Sequence, residues 1–105
     1  MNLTFKPALL FSILFLASCT WVQPEPGTEH IRLMTAEQVT GCEALGQATT
    51  SVRDRVAGVQ RKPGKVEEEL ATLARNSAYD MGGNVIVRDG PVHGGQQRFK
   101  IYDCQ

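Results

Sequence analysis

The sequence predicts an α+β fold: a small antiparallel sheet of three to four strands with one amphipathic helix packed on one face. Three observations carry this reading. Ala44, Gly46, Ala48, Thr50, Val52 and Val56 share one parity, opposite a polar set that includes Gln47, Thr49, Ser51, Arg53 and Arg55. That is the period of a half-buried strand. Val66, Leu70, Leu73, Ala74, Ser77 and Met81 recur at helical spacing as one apolar or small stripe. Val85-Ile86-Val87 and the Phe99/Ile101 pair then mark two further short strands.

Taken in order, the chain begins with one fixed positive charge, Lys6, followed by an apolar run, Ala8 to Ala17, broken only by Ser12. Small residues then lead into Cys19, which completes the layout of a secretory signal peptide. A ten-residue helix rises only about 15 Å, roughly half a hydrocarbon core, so this run is too short to span. Thr20 to Thr28 contains Pro24, Pro26 and Gly27 without apolar periodicity and reads as an extended tether. The division is therefore 1–18 signal, 19–29 tether and 30–105 folded domain.

Ile31 to Met34 is a short apolar stretch suited to an edge strand. The alternation from Val39 to Val59 predicts one long strand. Leu45 sits on the wrong parity, which a bulge at Gly46 repairs. Arg61-Lys62-Pro63-Gly64 ends that strand, because Pro-Gly is strong turn punctuation. The stripe predicts a helix over 65–81, with Glu67, Glu68 and Glu69 in its first turns toward the positive end of the helix dipole. Gly82-Gly83-Asn84 supplies the left-handed residue that closes it. A strand over 84–88, a loop over 89–97 around Gly94-Gly95, and a strand over 98–104 complete a hairpin.

Little in the chain points to chemistry. Its histidines are His30, at the tether boundary, and His93, in the glycine-rich loop, so no base with an orienting partner is legible and the protein reads as non-enzymatic. A pocket gathering His93 with Asp89 or Asp103 would be needed for catalysis. No cofactor is expected: Gly82-Gly83 follows a helix, whereas phosphate cradles precede one. The glutamate triplet points in three directions around a helix and is not a metal cage. Arg53, Arg55, Arg61, Lys62 and Lys65, interrupted only by Asp54, form a basic edge suited to an acidic partner or lipopolysaccharide phosphates, or simply a solvated rim.

Leu16-Ala17-Ser18-Cys19 resembles the bacterial lipobox. The resemblance implies cleavage before Cys19, diacylglycerol on its thiol and a third acyl chain on the new amino terminus, with Trp21 and Val22 at headgroup level. Stable anchoring needs two or more chains, a condition three satisfy. Of 105 residues, 87 then remain, with ten Lys and Arg against eleven Asp and Glu, since Lys6 leaves with the signal. This balance argues against a nucleic-acid binder. With Cys19 acylated in an oxidising compartment, Cys42 and Cys104 are the remaining thiols, and we expect them to be bridged. Two free thiols or half a metal site are the alternatives, although neither Cys has a second ligand at metal spacing.

Cys42-Glu43-Ala44-Leu45-Gly46-Gln47, Asn76-Ser77-Ala78, Met81-Gly82-Gly83-Asn84-Val85-Ile86-Val87 and Tyr102-Asp103-Cys104 together resemble a group of small proteobacterial lipoproteins carrying a domain of unknown function. The pattern is also distantly similar to RcsF-type envelope-stress lipoproteins, which use two disulfides where this chain has cysteines for one. The resemblance implies a sheet-plus-helix architecture and outer-membrane sorting, since Thr20 is not the aspartate that retains lipoproteins in the inner membrane. The expectation is a lipid-anchored module facing the periplasm that meets an envelope protein, in an accessory or stress-sensing role. The alternative is an inhibitor of a cell-wall hydrolase that probes its target with the loop 89–97. Oligomeric state is left open.

Overall fold

The computed structural model describes residues 22–105. The stretch read as a signal peptide, Cys19 and Trp21 lie outside the described residues. The elements run β1 (Arg32–Met34), a 3-10 turn (Ala36–Val39), β2 (Glu43–Ser51), β3 (Arg55–Val56), β4 (Val59–Gln60), α1 (Pro63–Met81), β5 (Val85–Arg88) and β6 (Gln96–Asp103). Four strands make one sheet in the order β1-β5-β6-β2, and β3 and β4 pair separately.

One face of this sheet lies under α1. Val66, Leu70, Ala71, Ala74 and Ala78 are buried on the helix and meet Ile86, Phe99 and Ile101 from the sheet. Phe99, Leu70, Ile86 and Ile101 are the largest fully buried side chains, so this layer supplies most of the apolar stabilisation. A smaller cluster on the opposite face joins Val39, Val85 and Val87 to Met34, Tyr102 and both bridged cysteines. Inside the main core, the Thr50 hydroxyl lies 3.3 Å from the carbonyl oxygens of both Leu70 and Gln97, so this buried polar group is satisfied.

The expected bulge is present: the β2–β6 register shifts between Ala44 and Gly46, and Leu45 thereby packs against the main core. The helix closes as expected on Gly82, at φ +83°, with the Gly83 amide donating to the Ala78 carbonyl at 2.8 Å. The β5–β6 hairpin also forms. β1 joins the sheet in parallel with β5, so the sheet is mixed rather than wholly antiparallel.

Two boundaries differ from the sequence reading. The long strand expected over 39–59 ends at Ser51, where its partner runs out: the Val52 amide still donates in register to the Gly95 carbonyl at 2.9 Å, but Gly94 and Gly95 have positive φ, 59° and 77°, and β6 starts only at Gln96. The chain then makes the β3–β4 hairpin, whose turn residues Ala57 and Gly58 both have positive φ, 53° and 79°. The second difference is Pro63-Gly64, which opens α1 rather than closing a strand. Proline suits the first helical position because its missing N–H would have no partner there.

Of the stretch read as a tether, residues 23–28 run along α1. Asn76 holds this segment from both ends of its amide: Nδ2 donates to the Gln23 carbonyl at 3.0 Å, and Oδ1 accepts from the Glu25 amide at 2.9 Å. Gly27 lies so close to the Tyr79 ring that a Cβ there would fall 2.8 Å from Cε1. Thr28 is buried, and Arg75 donates to the Ile31 carbonyl at 2.9 Å.

Candidate functional site

The five cations of the basic edge come together at the β3–β4 hairpin and the start of α1, but they do not act alike. Arg61 is turned inward. It donates to the Arg53 carbonyl at 2.8 Å and makes a two-pronged contact with Glu69, at 3.0 and 2.7 Å. Those hydrogen bonds from Arg61 hold the Glu69 carboxyl below its usual range, and the same pairing raises the Arg61 guanidinium. Arg61 therefore clamps hairpin to helix. Lys65 lies 4.0 Å from Glu68, a loose surface pair of small energetic worth. Arg53, Arg55 and Lys62 are exposed and form no ion pair among the described residues.

The glutamates thus serve differently from the sequence expectation. Glu67, Glu68 and Glu69 sit beyond the first turn of α1, where the dipole contribution has faded. Glu68 and Glu69 face cations instead.

The hairpin shows what sequence reasoning missed. Val56 and Val59 pair across it and are 54% and 66% exposed, although both fall within a stretch read as one half-buried strand, with Val56 on its apolar parity. With Gln60, Arg61, Lys62 and Lys65 they line a shallow, largely apolar groove that includes three cations. The signal that could have found it is the symmetry of Arg55-Val56-Ala57-Gly58-Val59-Gln60 about a two-residue turn.

The other candidate residues are placed as follows. Cys42 and Cys104 are bridged, with Cα atoms 4.7 Å apart. Asn84 guards the bridge: its side chain donates to the Cys104 carbonyl at 2.7 Å and accepts from the Cys104 amide at 2.8 Å, continuing the ladder where β6 has ended. His30 and His93 are exposed, and Asp89 is paired with Arg98 at 3.0 Å. Asp103 lies at the far end of β6, opposite Glu43, so His93, Asp89 and Asp103 are not gathered. No three potential ligands among His, Cys, Asp and Glu converge among the described residues. The loop after β5 is pinned through a two-way backbone pairing of His93 with Gln96, at 2.8 and 3.0 Å, and Val92 packs on the core.

Comparison with known proteins gives a family. The model of a domain of unknown function (DUF4156) matches residues 22–104. Among solved structures, the chain is similar to a secreted protein of Salmonella typhimurium LT2 determined by solution NMR. The TM-score is 0.43 and the identity 15%, over 98% of this chain and 88% of that chain. A search of curated proteins finds no match.

Proposed function

The chain belongs to the DUF4156 family, and on that premise we propose that it is a lipid-anchored, non-enzymatic module of the bacterial envelope that meets an acidic envelope protein through the β3–β4 hairpin. The observation that carries the proposal is the Val56/Val59 pair, left open to solvent in one groove with Lys62 and Lys65. Apolar centres with charged rims are the usual anatomy of a docking patch, and the cations would steer an acidic partner to it. The lipobox-like Leu16-Ala17-Ser18-Cys19, three residues before the described domain, supports anchoring at Cys19 with the domain on the periplasmic side of the outer membrane. Likeness to RcsF-type lipoproteins makes an accessory role in stress sensing the natural setting.

The test has two arms in the native bacterium. A palmitate analogue should label the full chain and fail to label a Cys19→Ala variant. A photo-crosslinking residue at position 59 should capture one reproducible envelope protein. An Arg55→Gln/Lys62→Gln/Lys65→Gln variant should lose most of that adduct without a change in thermal midpoint. Absent labelling would remove the anchor. No adduct, an adduct with a second copy of this chain, or an adduct indifferent to the charge changes would remove the docking role.

A further inference from the structure

The four-stranded sheet ends on one side in β1, three residues long and carrying Arg32, and on the other in β2, nine residues long. Proteins usually blunt a long free edge with lysine, proline or a bulge, because unpaired strand groups recruit other strands. β2 has neither lysine nor proline, and no charge lies between Ala44 and Val52. Its bulge falls at Gly46, before the regular run begins.

The phase of the ladder fixes which groups are free. The Val52 amide donates to the Gly95 carbonyl at 2.9 Å, and successive residues of an antiparallel strand alternate in direction. Ala48, Thr50 and Val52 therefore turn their N–H and C=O toward β6, and Gln47, Thr49 and Ser51 turn theirs outward. Arg98, opposite Thr49, accordingly accepts from the Asp89 amide on its other side, at 2.8 Å. All three outward residues are exposed, and no strand or loop backbone among the described residues takes up their groups.

A second copy of this chain fits that edge in three respects. The outward groups are self-complementary. An antiparallel pairing about a twofold axis at Thr49 sets Thr49 opposite Thr49 and Gln47 opposite Ser51, and each such pair exchanges two hydrogen bonds. The ends of the edge also carry opposite charge: Glu43 opens β2 and Arg53 follows it, both exposed and neither ion-paired among the described residues. Antiparallel pairing brings each glutamate toward the arginine of the other copy, whereas parallel pairing would set like charges together. The third respect is apolar. Met81, 38% exposed, overhangs Gly46, its Cε 2.9 Å from where a Cβ would stand. In this register Gly46 lies opposite Val52 of the other copy, which is half-buried and packs on the same helix-covered side of the sheet.

We propose that two copies of this chain join β2 to β2, antiparallel about Thr49, and so merge two four-stranded sheets into one of eight strands. The edge shares no lining residue with the hairpin groove, so either surface can fail its test without the other. Equilibrium sedimentation of the purified full chain in density-matched detergent micelles should give the mass of two chains. A Gln47→Lys/Ser51→Lys variant sets like charges directly opposite in both outer pairs and should weaken the dimer by roughly threefold or more. A Gln47→Lys/Ser51→Glu variant sets opposite charges there and should restore it. Both positions are exposed, so unfolding midpoints should stay at the parent's. In the native bacterium, Thr49→Cys should give a reducible adduct of two chains on mild oxidation, because Cα atoms of such a pair lie about 5.5 Å apart, within disulfide reach. Glu67→Cys, exposed on α1, should give several-fold less. A single-chain mass in sedimentation, equal dimerisation of the two charge variants, a Glu67→Cys adduct as abundant as that of Thr49→Cys, or a Thr49→Cys adduct with a different protein would overturn the proposal.

Discussion

Gly83, just past the end of α1, lies against both β2 and β6. A Cβ there would lie 2.7 Å from Ile101 Cγ2, 3.0 Å from the Tyr102 carbonyl oxygen and 3.3 Å from Leu45 Cδ1. Its neighbour Gly82 answers a different need, the positive φ that lets the chain leave the helix. Adjacent glycines thus do two jobs, one conformational and one steric. Gly83→Ala should lower stability by about 1–3 kcal/mol, since backbone and a fully buried isoleucine have little room to yield. Gly64, in the first turn of α1, has nothing within 4 Å of a built Cβ and no positive φ. There the same change should raise stability by about 0.4–1 kcal/mol by restricting the unfolded chain. Urea midpoints of the two variants should therefore move in opposite directions, and a Gly83→Ala midpoint equal to the parent's would refute the close-packing account.

At the scale of elements, the Cys42–Cys104 bridge ties the start of β2 to the end of β6, across a sequence separation of 62. It closes the sheet face that α1 does not cover, above Val85 and Val87. A Cys42→Ser/Cys104→Ser variant should lose about 2–5 kcal/mol in denaturant unfolding, and intact mass should rise by about two protons on reduction of the parent alone. A double variant with the parent's midpoint would mean that Asn84 and the apolar cluster hold this edge without the sulfurs. The bridge was legible from cysteine use, and the helix and the Gly46 bulge from periodicity, because each depends on spacing within one segment; of the stripe, Val66, Leu70 and Ala74 are buried as read, whereas Ala71 and Ala78 are buried in place of Leu73, Ser77 and the exposed Met81. The break after Ser51 was not legible. Val52 and Val56 keep the strand parity, and the limit is set forty-three residues on, where the partner strand runs out at Gly95, φ +77°. Pro63-Gly64 carries the same local chemistry as a turn or as a helix start, and only the packing of α1 decides between them. The parallel seat of β1 likewise rests on three residues whose register is set by β5. The basic edge was visible as a run of cations, but its division was not. Arg61 is withdrawn by Glu69, eight residues away, only once the hairpin folds back onto the helix.

For the whole molecule, the contact between residues 23–28 and α1 determines how far the domain can stand from a membrane. With Cys19 as the proposed anchor, three residues separate it from Gln23, and the four Cα–Cα steps between them span at most about 14 Å. Asn76 pins that point to the helix, so the domain would ride close to the headgroups with α1 near them. Freed as far as Ile31, which is buried in the core, the chain could reach about 40 Å. Asn76, with the Gly27–Tyr79 contact and the buried Thr28 behind it, therefore helps to set the height at which the hairpin is displayed. Asn76→Ala removes both hydrogen bonds while leaving the buried stripe of α1 intact. Each such bond has a net worth of about 1 kcal/mol, so exchange of the Glu25 amide should accelerate roughly five- to thirtyfold. In lipid vesicles, energy transfer from a fluorophore at position 57 to a lipid-phase acceptor should fall in this variant, and the unfolding midpoint should change little. Unchanged transfer alongside faster Glu25 exchange would show that the segment opens without lifting the domain, and that other surfaces hold it to the bilayer.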